Sequence, residues 1–271
     1  MNSELPPHEQ FHEAFYARRV WLAYAILAFN VLLFGLMLKT SLLPWRWTLV
    51  SGTDHATLLN FGAKTNHWVL QQRQWFRLVT PIFLHIGLLH LIANAYALWI
   101  VGPIIERLFG SARFALLYLL AGMGGIAGSL LGARINRLDA PVAGSSGALF
   151  GLFGVLLVVG YKYRHELPAA FRRAFTKSVW IVVALNLAFG IVSNFGKSFS
   201  QRFKLPLHFV DNWGHVGGLL TGAILAMILP YLGPERKLKT GKEIIVLAIC
   251  LLVVSYCYFR AYQLRPFIWQ K

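Results

Sequence analysis

The 271-residue chain is 57% apolar and only 13% charged, with a positive mean hydropathy, which excludes an ordinary soluble domain and points to an all-α, polytopic membrane protein. Its 26 lysines and arginines against 10 acidic residues give a net charge of +16, but they are spread over every connecting segment and form no single patch, which favours membrane lipid head groups over nucleic acid as partners.

Residues 1–19 read as a solvated cytoplasmic tail: Pro6, Pro7, His8, His12 and three glutamates leave no apolar stretch for a secretory signal. A membrane-spanning helix needs roughly 20 mostly apolar residues, and seven stretches qualify, at 20–38, 82–105, 114–132, 142–161, 179–195, 214–232 and 244–259. The first six form a core over 20–232; residues 233–243 link it to the seventh span, and 260–271 are a C-terminal tail. The long first loop, 39–81, carries Trp45, Trp47, Trp68 and Trp75 and no span, so it is expected to lie at the membrane interface. In the seventh span Cys250 and Cys257 share one helix face, which suits a buried structural role.

With a cytoplasmic N-terminus, lysines and arginines number 13 inside and 13 outside, so the raw count leaves orientation open. Density decides for that orientation, because Lys162, Arg164, Arg172, Arg173 and Lys177, and then Arg236, Lys237, Lys239 and Lys242, crowd short inside segments.

Ionisable and strongly polar side chains inside hydrocarbon are costly and raise a functional hypothesis. Here they are His85, His90 and Asn94 in span two, Ser145 and Ser146 in span four, and His215 in span six. All lie in the N-terminal portions of even-numbered spans and so converge on one side of the bilayer. At 1.5 Å rise per residue Ser146 sits about 6 Å inside its span, and His215 at a similar depth. His90 and Asn94, four apart, share a face, whereas His85 is expected elsewhere on the helix. Gly147 and Gly151, and then Gly214, Gly218 and Gly222, repeat every fourth residue and permit close helix approach.

Packing alone explains most Ser-Gly runs in membrane helices, and a lone histidine there is often satisfied by a neighbour. Convergence at one depth and one side favours chemistry instead. A histidine activates a serine by taking its proton, and the tetrahedral oxyanion needs donors, which Asn94, His90 and the Ser146 N–H supply. Asp211 lies four residues before His215 and more naturally borders span six, so a Ser-His dyad is the economical arrangement. The GxSxG elbow of soluble hydrolases fails, since Ser146 in that register meets Ala148, and HExxH is absent. A histidine-lined metal or proton pathway, as in a non-proteolytic transporter, is the alternative; no metal or cofactor is expected on the dyad reading.

Three motifs, "HIGLLHLIAN" at 85–94, "GSSG" at 144–147 and "GHVGG" at 214–218, resemble in order and spacing the HxxxxHxxxN, GxSG and AHxxG of the rhomboid family of intramembrane serine proteases. The resemblance covers spans one to six and leaves the seventh as an addition. It implies that Ser146 is the nucleophile and His215 the base, with His90, Asn94 and Gly144 assisting the oxyanion; that His85 is structural; and that Phe150 packs on the catalytic histidine. Gly218 would support the histidine's helix, and Ser145 would be a spacer whose backbone matters more than its hydroxyl. "IIERLFGS" at 104–111 is similar to the family's Glu-Arg-Gly segment, whereas the first-loop Trp-Arg pair stands here as Phe76-Arg77 and Gly214 replaces an alanine. With Ser146 and His215 both present, the inactive or merely substrate-binding relatives are a poor fit. The resemblance further implies transmembrane helical substrates cut near the outer face of a membrane, here a bacterial cytoplasmic membrane. Span five and the following loop with Lys197, Arg202 and Lys204 would serve as gate and cap.

Overall fold

The computed structural model describes residues 7–136, 139–195, 210–232 and 240–264, and these form a helical membrane bundle. Helix α1 (Pro7–Ala17) precedes α2 (Leu22–Thr40). The first loop forms α3 (Trp45–Ser51), α4 (His55–Asn60) and three short turns at His67–Gln71, Trp75–Leu78 and Thr80–Phe83. Then come α5 (Leu88–Phe109), α6 (Ser111–Asn136), α7 (Ser146–Lys162), α8 (Ala169–Phe195), α9 (Asn212–Ile228) and α10 (Thr240–Gln263). Each expected span contains a helix, and α2, α5, α6, α8 and α10 are long and apolar enough to cross a membrane. Helices α7 and α9, 17 residues each, are shorter. The loop at 196–209, with Lys197, Arg202 and Lys204, lies outside the described residues, as do most of the linker and of the C-terminal tail.

Two helix starts differ from the sequence expectation. Span two was expected from residue 82, but Pro81 sits in the Thr80–Phe83 turn and Gly87 is extended, so α5 begins only at Leu88 and His85 is not on the helix. Span four was expected from residue 142, but Gly144 has φ +143°, a conformation that interrupts any helix, and α7 begins at Ser146. The N-terminal tail also departs from a purely solvated segment. Phe11 and Phe15 of α1 are buried, each ring meeting Phe171 of α8 edge-on at 5.4 and 5.3 Å.

The start of α2 has no capping side chain of its own. Buried Glu106, on the last turn of α5, supplies one across the chain by accepting from the N–H groups of Trp21, Leu22 and Ala23 at 3.2, 3.0 and 2.9 Å. Ser111 Oγ also donates to it at 2.6 Å. A carboxylate on orphan N–H groups at a positive helix end is doubly favoured. This fixes α2 against the α5–α6 corner, where Gly110 turns the chain with φ +80°.

The first loop is held by Arg77, whose buried guanidinium donates to the carbonyls of Leu59 and Ala63 at 2.9 and 2.6 Å and to Gln74 Oε1 at 2.6 Å. Trp68 lies 5.3 Å from it in a cation–π contact. Phe76-Arg77 therefore anchors the loop without a tryptophan at position 76. Burial pushes the Arg77 guanidinium down to about 10, still well above neutrality. At the membrane end of α2, Asp54 accepts from Thr57 N, Thr57 Oγ1, Ser41 Oγ and Leu42 N at 2.8, 2.8, 2.9 and 3.1 Å.

At the centre, α6, α7 and α9 touch through glycine. A side chain at Gly218 or Gly222 would run into the carbonyl oxygens of Gly147 or Gly151 on α7, and one at Gly125 of α6 would meet Gly147 Cα at 2.9 Å. Without Cβ atoms these backbones come into close contact, and van der Waals packing of this kind is a main source of helix association in lipid.

Gly222→Val should therefore lower stability by about 2 kcal/mol or more, whereas Gly35→Ala, where an added Cβ meets nothing within 4 Å, should be neutral or stabilising. Thermal unfolding of the detergent-solubilised variants separates the two. Burial acts to raise the Asp54 carboxyl, but its four bonds outweigh this and hold it below the usual carboxylate range. Its contribution should be intact above about pH 4 and lost as pH falls through its folded-state value. Wild-type melting temperature should accordingly drop more between pH 5 and pH 3 than that of Asp54→Asn.

Candidate active site

The approach to α7 is built by the first loop. Lys64 and Val142 exchange backbone hydrogen bonds of 3.0 and 2.8 Å as an isolated antiparallel bridge, and Gly144 N donates to Pro81 O at 2.9 Å. At Gly144 an added Cβ would be both strained by its φ and only 2.6 Å from Cε1 of His90. Glycine is what lets the His90 ring lie against the chain two residues before Ser146. The Gly144 N–H is committed to Pro81 O. Ser146 opens α7, so its N–H is among the four that a helix leaves without intrahelical partners, at the positive end of the dipole.

His215 sits on the first turn of α9. Asp211 caps that helix, its Oδ1 accepting from Gly214 N at 3.0 Å while its carbonyl accepts from His215 N at 3.0 Å. Phe150, one turn after Ser146, stacks on the imidazole with ring centroids 4.0 Å apart and planes 8° from parallel, as the resemblance implied. His215 Nδ1 and Asp211 Oδ2 are buried without hydrogen-bond partners. Ser146 and His215 line one cavity of about 790 Å³, with no hydrogen bond between Ser146 Oγ and the imidazole.

The cavity also takes in His90, Asn94 and Gly144, and is walled on one side by α5 and on the other by Val179, Val182, Asn186 and Phe189 of α8. Asn94 is buried, its amide donating to His90 O at 2.8 Å.

Two expectations need correction. His85 is not remote from His90: once it leaves the helix, its ring centroid comes within 5.5 Å of the His90 ring. Nor is Ser145 a mere spacer. Its hydroxyl, fully buried, pairs with His85 Nε2 at 3.3 Å, so His85 and Ser145 form a polar contact directly behind the site.

One site neighbour had no sequence signal. Lys64 is fully buried with its ammonium donating to Ser129 O and Oγ at 3.4 and 3.3 Å. Burial pushes it below its ordinary value, while Asp211 and Asp139 act in the opposite direction. A lone lysine in an interfacial loop reads as solvated, and only the fold shows that it faces carboxylates distant in sequence.

Comparison with known proteins agrees with this architecture. A family model described as "Rhomboid domain" matches residues 72–232. The chain is 39% identical over 204 residues to Rhomboid protease GluP of Bacillus subtilis (strain 168), an alignment spanning 74% of this chain and 35% of that protein. It is 35% identical over 198 residues to RHOMBOID-like protein 6, mitochondrial, of Arabidopsis thaliana, spanning 72% of this chain and 56% of the relative. RHOMBOID-like protein 1 of the same plant is 30% identical over 230 residues, spanning 77% and 53%. The chain thus covers between about a third and just over half of the length of these relatives. On the matched domain and these identities, the chain belongs to the rhomboid family.

Proposed function

We propose that this protein is an intramembrane serine endopeptidase in which Ser146 Oγ attacks the scissile carbonyl and His215 is the general base. The observation that carries the reading is the shared cavity wall: Ser146 at the head of α7 and His215 at the head of α9 face one space, with Phe150 stacked on the imidazole. The name of its bacterial relative, a rhomboid protease, supports the same reaction class.

In this mechanism His215 takes the Ser146 proton as the Oγ–C bond forms, and the negative charge moves to the carbonyl oxygen. The Ser146 N–H, the Asn94 amide and His90 are the donors for that oxyanion. One N–H of the Asn94 amide is held by His90 O, which leaves the second for the oxyanion. His215 then returns the proton to the leaving amine, and water, activated by the same imidazole, hydrolyses the acyl-enzyme. Gly144 acts by giving His90 room, Gly218 by letting α9 reach α7, and His85 by fixing the loop through Ser145.

Substrates on this reading are transmembrane segments that unwind locally, because freed backbone groups are tolerated only inside protein or a wet cavity. Residues 20–232 form the catalytic core and α10 an addition to it. The N-terminus lies in the cytoplasm and the cavity towards the outer face of a bacterial cytoplasmic membrane, in line with the basic inside segments.

Ser146→Ala should abolish cleavage of a model transmembrane substrate by the purified, reconstituted protein and abolish its labelling by a fluorophosphonate, with melting temperature unchanged. Residual turnover at the wild-type rate overturns the assignment. Asn94→Ala should reduce turnover by roughly 100- to 1000-fold while leaving fluorophosphonate labelling detectable; an unchanged rate removes Asn94 from the oxyanion site.

A further inference from the structure

The matched domain, 72–232, stops short of α10, and α10 contributes to a second cavity that the proteolytic reading does not use. This space, about 670 Å³, lies where the His67–Gln71 and Trp75–Leu78 turns meet the C-terminal end of α10. Its cations are Arg73, from the first loop, and Arg260, from α10; Trp68, Trp75 and Tyr256 give it aromatic walls. Among the described residues, none of those lining it carries a carboxylate. Arg260 is held towards its own helix end by Gln263 Oε1 at 2.8 Å. Asp139 accepts from the backbone N–H groups of Asn66 and His67 at the start of the His67–Gln71 turn.

Two observations separate this from a chance pair of surface arginines. Arg73 has φ +53°, the one non-glycine residue in the left-handed region among those described, where glycine or asparagine would be unstrained. Keeping a long cation at such a position follows from a use for its side chain. Trp75 and Tyr256 are 56% and 62% exposed beside the cavity, at the end of an apolar spanning helix, the depth at which aromatic rings and arginines meet lipid head groups.

We propose that this cavity binds the phosphate of an anionic phospholipid head group, with Arg73 and Arg260 as its cationic arms and Trp68, Trp75 and Tyr256 against the glycerol and upper acyl carbons. A planar guanidinium matches phosphate oxygens in pairs. The lipid is the source because the cavity opens at the end of the spanning helix, where head groups are present at high local concentration. The site joins the first loop to α10, so an occupying lipid ties the additional helix to the loop that carries the Lys64–Val142 bridge. It does not depend on the protein being a protease.

Full-length protein in mild detergent should be stabilised against heat by added phosphatidylglycerol and not by phosphatidylcholine at the same mole fraction. The double variant Arg73→Gln, Arg260→Gln should bind phosphatidylglycerol on the order of 30-fold more weakly, at about a factor of five per cation. Its melting temperature without lipid should match wild type. Sodium phosphate at equal concentration should have no effect; stabilisation by phosphate alone that the double variant loses overturns the lipid assignment in favour of a free anion. Equal stabilisation by both lipids, or an undiminished response in the double variant, overturns the site. Trp75→Ala with both arginines intact gives an independent measure: it should weaken phosphatidylglycerol binding while leaving the preference for the anionic lipid in place.

Discussion

The distance between the α7 and α9 backbones governs the rest of the structure. In lipid there is no hydrophobic gain from bringing two apolar helices together, so association rests on contact and weak hydrogen bonds. Gly147 and Gly151 on α7 face Gly218 and Gly222 on α9 with carbonyl oxygens where side chains would otherwise be. That approach brings the His215 ring onto Phe150 and the first turn of α9 level with Ser146. The glycine pattern and the proposed dyad are thus one constraint seen at two points along the same interface.

Closeness of this kind creates a second demand. The central helices α7 and α9 are the short ones at 17 residues each, and the chain leading into α7 is irregular at Gly144. Irregular backbone within a membrane needs protein partners for its polar groups. The first loop supplies them through Lys64 on Val142 and Pro81 on Gly144, and it is itself pinned by Arg77 and Asp54. Helix α10 completes the chain of support: Tyr258 donates to Thr80 O at 3.2 Å, next to the proline that receives Gly144, and stacks edge-on with Phe29. The last helix therefore bears on the site through the loop and through α6, against which it also packs.

Spacing rules carried far in this sequence because a membrane-spanning segment must be a helix of sufficient apolar length. Depth and direction follow from counting residues, which is how Ser146 and His215 could be matched before any coordinates. The errors fall where helical periodicity was extended through residues that do not sustain it. Pro81 just before span two, Gly87 within it and Gly144 in span four are the signals for late helix starts, and they put His85 ahead of the helix. The α1 phenylalanines on Phe171 had no local signature, and the motif around Glu106 did not reveal its partner, the start of α2. Those contacts join segments that periodicity treats separately.

Electrostatics adds a link that neither packing nor motif describes. A buried ammonium is tolerable when hydrogen bonds and nearby carboxylates offset its lost hydration. Lys64 has the Ser129 oxygens and the fields of two aspartates. One of them, Asp139, grips the Asn66 and His67 N–H groups of the first loop; the other, Asp211, caps the helix that carries His215 and keeps its Oδ2 buried and unbonded. Lys64 thus shares its charge between the loop that shapes the approach to Ser146 and the helix that presents the histidine. Its backbone, through Val142, holds the same approach, so one residue of the first loop couples both halves of the proposed dyad.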